Sequence, residues 1–256
     1  FLSLVAGLMA CLTSCQHDNL EVQPQAFEKG EISRSVSGAN RILVLSEGNM
    51  TNENGTLAEI IWEEDQLQVT DSIYQKRNPG RKLGNVAQDL YILGDTMYII
   101  CQNGHVQGGD SSLVVMNANT YERIRSIGKG FGTAYGSSPT HFAVVSHQKA
   151  YVRCDNGLKI AYLQGANQGL QPEVLIPDAA KTKLAVIDGM VYAARVNSVA
   201  RINPGDDAVS DIAINQGAIA SIVRGSGNTL WVFSIQNSTT GILTQLNTAT
   251  NAKTHY

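Results

Sequence analysis

Cysteine, charge and aromatic side chains are all scarce in this chain. Four cysteines in 256 residues exclude a disulfide-dense scaffold, which needs several staples to replace a core. No Cys-x-x-Cys and no Cys/His pair at ligand spacing occurs, so no zinc site is expected. Charged residues amount to 16%, and the net charge of −3 is spread without long runs of one sign. That removes the electrostatic case for a nucleic-acid partner, which would need a basic face. There is no P-loop and no G-x-G-x-x-G turn. No Ser/His/Asp order or carboxylate pair stands out, so the reading is of a non-enzyme with no catalytic residue and no cofactor. Long apolar runs are also missing. The longest, Phe1–Ala10, falls short of the roughly 20 residues of a spanning helix.

That run stops at Cys11-Leu12-Thr13-Ser14-Cys15. Leu-Thr-Ser-Cys resembles the lipobox of bacterial lipoproteins, with small residues ahead of a cysteine that becomes lipidated. Residues 1–14 are therefore read as an incomplete signal peptide, with Cys15 as the lipidation site of an outer-membrane lipoprotein. Residues 15–39 are polar, include Pro24 and lack periodicity, as expected of a tether. The only membrane contact expected is the lipid.

What the chain does have is a repeat. TMYIICQNG from Thr96 returns as KAYVRCDNG from Lys149, MVYAARVNS from Met190 and TLWVFSIQNS from Thr229. Each copy is a short apolar run with an aromatic near its start, Tyr98, Tyr151, Tyr192 or Trp231, and ends on Asn-Gly or Asn-Ser. That is a strand followed by a turn. The aromatics lie 53, 41 and 39 residues apart by position, and a period of about 40 to 50 residues with several strands per unit marks a β-propeller blade. Cys101 and Cys154 take the same place in successive copies. Equivalent places on neighbouring blades fan apart beyond the ~5.5 Å a disulfide needs, so both are read as small buried hydrophobes.

Residues 40–256 thus read as an all-β propeller with about five blades, mostly of four strands. The first unit, from Arg41, shows three strands and lacks an innermost one. With the last unit ending in its outermost strand, the chain reads as part of a longer propeller, seven-bladed at about 42 residues per blade. A complete five-bladed ring is the alternative.

Ligand-binding candidates come from loops between the second and third strands of each blade. They supply Asn49, Asn54, Asn103, Asn156, Asn197 and Asn237 at corresponding places. Asn-Gly pairs are ordinary turn formers, but together the amides would ring one face. Interblade connections add Arg77 and Lys82 from a run of four cations, and Phe131 and Tyr135 from the glycine-rich stretch Gly128–Pro139. His105, in a loop, and His141, on an innermost strand, are the two histidines able to approach the axis.

ILVLSEGNMTNENGTL, LGNVAQDLYILGDTMYIICQNG and SLVVMNANTYERIRSIG, together with the lipobox, resemble the YncE-like seven-bladed propellers found as lipoproteins in Bacteroidota. The likeness spans Ala39 to the end. Proteins of this kind include surface lipoproteins that capture cobalamin and pass it to a TonB-dependent transporter. The resemblance implies a ligand-binding propeller with a small-molecule ligand such as a corrinoid and an outer-membrane receptor as partner. It carries over no residue motif. A scaffold for a protein or glycan, and a lactonase- or lyase-like enzyme, are the competing readings.

Overall fold

The computed structural model describes residues 41–256 apart from 51, 53, 64, 65, 105–111 and 132–136. Cys15, the signal peptide and the tether lie outside the described residues, as do His105 and Tyr135.

Five antiparallel sheets follow one another along the chain as the blades of a β-propeller. The first has three strands, β1 (Arg41–Ser46), β2 (Thr56–Glu63) and β3 (Gln66–Thr70). The second comprises β4 (Asn85–Leu93), β5 (Thr96–Gly104), β6 (Leu113–Asn117) and β7 (Arg123–Ile127). The third comprises β8 (Pro139–Ser146), β9 (Lys149–Cys154), β10 (Gly157–Tyr162) and β11 (Gly169–Ile176). The fourth has β12 (Ala185–Ile187), β13 (Met190–Ala194), β14 (Ser198–Ile202) and β15 (Val209–Ala213). The fifth has β16 (Ala218–Arg224), β17 (Thr229–Asn237), β18 (Thr240–Asn247) and β19 (Lys253–His255). Within each sheet the order is that of the sequence, and β4, β8, β12 and β16 succeed one another around the axis as the innermost strands.

The cores lie between blades, because alternate residues of each strand face opposite neighbours. Tyr98, Ile100, Val115, Phe142, Val144 and Val152 fill the seam between blades two and three, while Ala143, Tyr151, Leu158, Val191 and Ala193 fill the next. Cys101 and Cys154 are free thiols buried in this packing, as expected for small hydrophobes.

One helix interrupts the all-β pattern, α1 (Ile73–Arg77). It carries Ile73 and Tyr74 into the seam between blades one and two. Asn78 follows it, donating to the Tyr74 and Tyr121 carbonyls at 2.8 Å each and accepting the Arg123 N–H at 2.8 Å. The β6–β7 turn that holds Asn78 shares its end of the blade with the β4–β5 turn, through Ala118 N–H to Asp95 O at 2.8 Å. Asn78 thus ties the cationic segment to the β6–β7 turn, while Gln75 Nε2 donates to Gly55 O at 2.9 Å and holds the same segment to the β1–β2 loop.

Among the described residues, blades one and five each carry exposed apolar side chains on one face. On the first, cross-strand neighbours Ile42, Ile60 and Val69 form one row and Trp62 and Leu67 another; all but the half-buried Ile60 are exposed. On the fifth, Val223, Phe233, Ile235, Leu243 and Tyr256 are exposed.

Candidate functional site

The innermost strands bring polar residues together at one level of the axis. In the second blade Asp89 stands opposite Ile100, and in the third His141 stands opposite Arg153. These partners lie two residues beyond Tyr98 and Tyr151, the recurrent aromatics. In the fifth blade Ser221 stands opposite Phe233, two residues beyond Trp231. Lys183, two residues ahead of β12 in the fourth blade, joins them through the contact of its Nζ with Asp89. Asp89, His141, Lys183 and Ser221 are thus one rung of four successive blades.

Three of the four follow directly on a break in strand register. The pairing slips between Ala87 and Asp89, between Pro139 and His141, and between Ile219 and Ser221. A bulge leaves one residue unpaired, bends the strand and re-aims the next side chain. Val86, just ahead of the first slip, has φ of 58°, a conformation that is costly for a β-branched residue. The β1–β2 loop clamps this irregular segment, with the Ala87 N–H on Glu47 O at 3.0 Å and Gln88 Nε2 on Glu47 Oε1 at 2.7 Å.

Asp89 is the centre of the rung. Its side chain is 6% exposed; Oδ2 meets His141 Nδ1 at 3.2 Å and Oδ1 meets Lys183 Nζ at 3.1 Å, so one carboxylate joins three blades. Oδ1 also accepts the Leu90 N–H at 3.0 Å. Lys183 is 68% exposed in its side chain and forms the open side of the group. With Asp89 accepting from Nδ1–H, the neutral His141 ring presents an unprotonated Nε2.

Behind His141 stands Arg153, 6% exposed. Its Nε donates to the Ala179 carbonyl at 2.6 Å and the Ala180 carbonyl at 3.1 Å, holding the connection that leads to Lys183. Burial pulls its pKa down, since a desolvated charge is disfavoured. Nη1 is buried with no hydrogen-bond partner.

The loop asparagines chosen from sequence do not converge in this way. Asn54 Oδ1 accepts the Asn49 N–H at 2.7 Å and Asn49 Oδ1 accepts the Asn52 N–H at 2.8 Å, closing their own loop. Asn237 Oδ1 accepts the Thr239 N–H at 3.0 Å in the same manner. Asn156 and Asn197 are exposed in tight turns and Asn103 is half-buried at the end of β5. Arg77 and Lys82 are exposed on the segment fastened to the β6–β7 turn. Phe131 is 4% exposed and packs in the core between blades two and three. It is a seam residue with no face free for stacking, because the turn Gly128–Phe131 folds it under blade three. His141, by contrast, meets Asp89 of the neighbouring blade at 3.2 Å.

Asp89 and Lys183 escaped the sequence reading. Asp89 follows Gln88 and Lys183 follows Lys181-Thr182, polar pairs and runs beside apolar residues that read as the solvent side of a sheet. Counting back from the repeated aromatic would have aligned them.

A family model described as Domain of unknown function (DUF5074) matches residues 40–255. The chain belongs to that family. The match takes in all five blades and the whole axial rung, so the rung is part of a DUF5074 domain. No curated protein sequence matches the chain.

Among solved structures, PorZ, a bacterial surface component of the type-IX secretion system of Porphyromonas gingivalis, superposes with a TM-score of 0.50 at 12% identity, over 78% of this chain and 24% of that one. The extracellular domain of the hybrid two-component system BT3049 from B. thetaiotaomicron gives 0.50 at 14% identity, over 77% of this chain and 25% of that one. Hsv2 of Kluyveromyces lactis gives 0.51 at 8% identity, over 79% and 59%. The chain thus spans about a quarter of the first two, and the likeness establishes the propeller fold.

Proposed function

We propose that this protein is a ligand-binding propeller of the bacterial cell envelope, anchored to the outer membrane through Cys15, that holds a small molecule at the axial rung. The carrying observation is that Asp89 and His141, each immediately after a break in strand register, meet at 3.2 Å across two blades, with Lys183 on the same carboxylate. Bulges weaken a sheet and are kept where a side chain must be re-aimed. A preformed group of this kind binds with little ordering cost.

Within that reading the ligand is a corrinoid or similar molecule destined for a TonB-dependent transporter, as in the lipoproteins that the sequence resembles. The location rests on the apolar run and Leu-Thr-Ser-Cys ahead of residue 16. Calorimetry and visible absorption of the full-length protein with cyanocobalamin test it. A saturable heat and a spectral change, both weakened in His141→Ala, are expected. Absence of both would remove the corrinoid.

A further inference from the structure

We infer that the axial rung is an oxoanion site, which takes a carboxylate or phosphate group of the bound molecule. The inference rests on the small-molecule reading above and specifies which part of such a ligand the rung holds.

Charge is the first argument. Lys183 and Arg153 bring two fixed positive charges to the rung, and His141 adds a third when protonated. The rung itself opposes them with Asp89 alone, whose two oxygens are already occupied by Lys183, His141 and the Leu90 N–H. Arg153 takes only neutral carbonyls. The other carboxylate in its field, Asp155, is exposed and accepts the Ser138 N–H at 3.2 Å. A buried guanidinium ordinarily has a carboxylate partner. In a chain of net charge −3, this axis carries a local excess of positive charge.

Available donors are the second. Arg153 Nη1 is buried and unpartnered, and such a group is explained by a missing partner. Lys183 lies at the open side with a flexible stem, so Nζ can turn from Asp89 to an incoming anion. His141 keeps Nδ1 on Asp89 and gains an Nε2–H donor on protonation. Ser221 is the hydroxyl on the same rung. An oxoanion seated there accepts from Lys183 and His141 in charge-assisted hydrogen bonds, with Arg153 supplying buried positive charge from behind. Anion binding and protonation of His141 then favour each other.

The test uses the full-length protein and inorganic probes. Histidine side-chain NMR signals, with His141 assigned by His141→Gln, are titrated with sodium phosphate and with sodium acetate against sodium chloride at equal ionic strength. The expected result is a saturable shift of the His141 signals with phosphate or acetate, and no saturable shift with chloride. A response to phosphate alone assigns a phosphate group, and a response to acetate alone a carboxylate. Lys183→Met, at an exposed position, weakens binding about tenfold, the scale of one charge-assisted hydrogen bond. Arg153→Lys, checked for folding by circular dichroism, restores part of what Arg153→Met loses. No saturable shift with either anion, or unchanged binding in Lys183→Met, overturns the assignment. A corrinoid that binds while both anions fail would sink this inference and leave the ligand reading standing.

Discussion

Tyr151 donates its hydroxyl proton to the carboxylate of Asp207, which fastens β9 of the third blade to the β14–β15 turn of the fourth. Lys149 completes the clasp, with Nζ 2.6 Å from Asp207 Oδ1 and 5.4 Å from the Tyr151 ring centroid. The corresponding Tyr98 meets His147 Nδ1 at 3.0 Å across the preceding seam. Two of the aromatics that mark the repeat, Tyr98 and Tyr151, are thus ties between blades. Tyr151→Phe keeps the packing and leaves Asp207 with Lys149 alone. We expect it to lower stability by about 1 to 3 kcal/mol, read as a fall in the urea midpoint with unchanged slope.

Alkaline titration reports on the seams. Burial is the main cause that pushes the thiols of Cys101 and Cys154 up to about 12 from 9.0. A raised pKa in the fold means that these groups stabilise it fully below their unfolded value. That contribution is lost as pH rises from about 9 towards about 12, at ~1.4 kcal/mol per pH unit for each thiol. Tyr98, Tyr121 and Tyr151 are raised as well, chiefly by burial, and add to the loss above about pH 10. Stability measured by denaturant at stepped pH should fall across this window, less steeply in Cys101→Ala. An equal slope in that variant would contradict the assignment.

Glu59 is the acid of a buried cluster between blades one and two. Its Oε1 lies 3.2 Å from Arg41 Nη1 and accepts the Tyr121 hydroxyl, and Arg41 Nη2 donates to Ala118 O at 3.1 Å. Removing the carboxylate leaves the mostly buried Arg41 uncompensated, which costs about 3 to 5 kcal/mol. Glu59→Ala should therefore unfold at markedly lower temperature. Glu59→Ala combined with Arg41→Met should recover part of the loss, and calorimetry distinguishes the two.

Two glycines separate turn conformation from crowding. Gly157 has φ of +123°, and a Cβ there would stand 2.6 Å from the Ile176 carbonyl oxygen. Gly94 has φ of +57° with nothing within 4 Å. Gly94→Ala should lose about 1 kcal/mol. Gly157→Ala should lose about 2 kcal/mol or more, since β11 must also shift. Thermal melts of the pair check the order.

Much of the fold was legible because the repeat is carried by alternation and by one aromatic per blade. β11 runs through Pro172 because it is an outermost strand, where a missing N–H breaks no ladder. α1 was unreadable at five residues, too short to show a helical period. The rung was hidden more deeply: Asp89 and His141 follow bulges that shift their distance from the recurrent aromatic by one residue, nine from Tyr98 and ten from Tyr151 by position.

The exposed apolar faces of blades one and five also set how the molecule opens. Each blade touches its sequence neighbours, so stability accumulates seam by seam. Strands β5, β9 and β13 lie inside covered sheets, and their amide hydrogens should exchange with solvent only when the whole array unfolds. β1, hydrogen-bonded among the described strands to β2 alone, should exchange by local fraying. A gradient of protection from the middle blades outward would place the axial rung, drawn from blades two to five, mostly within the slowest-exchanging part of the molecule.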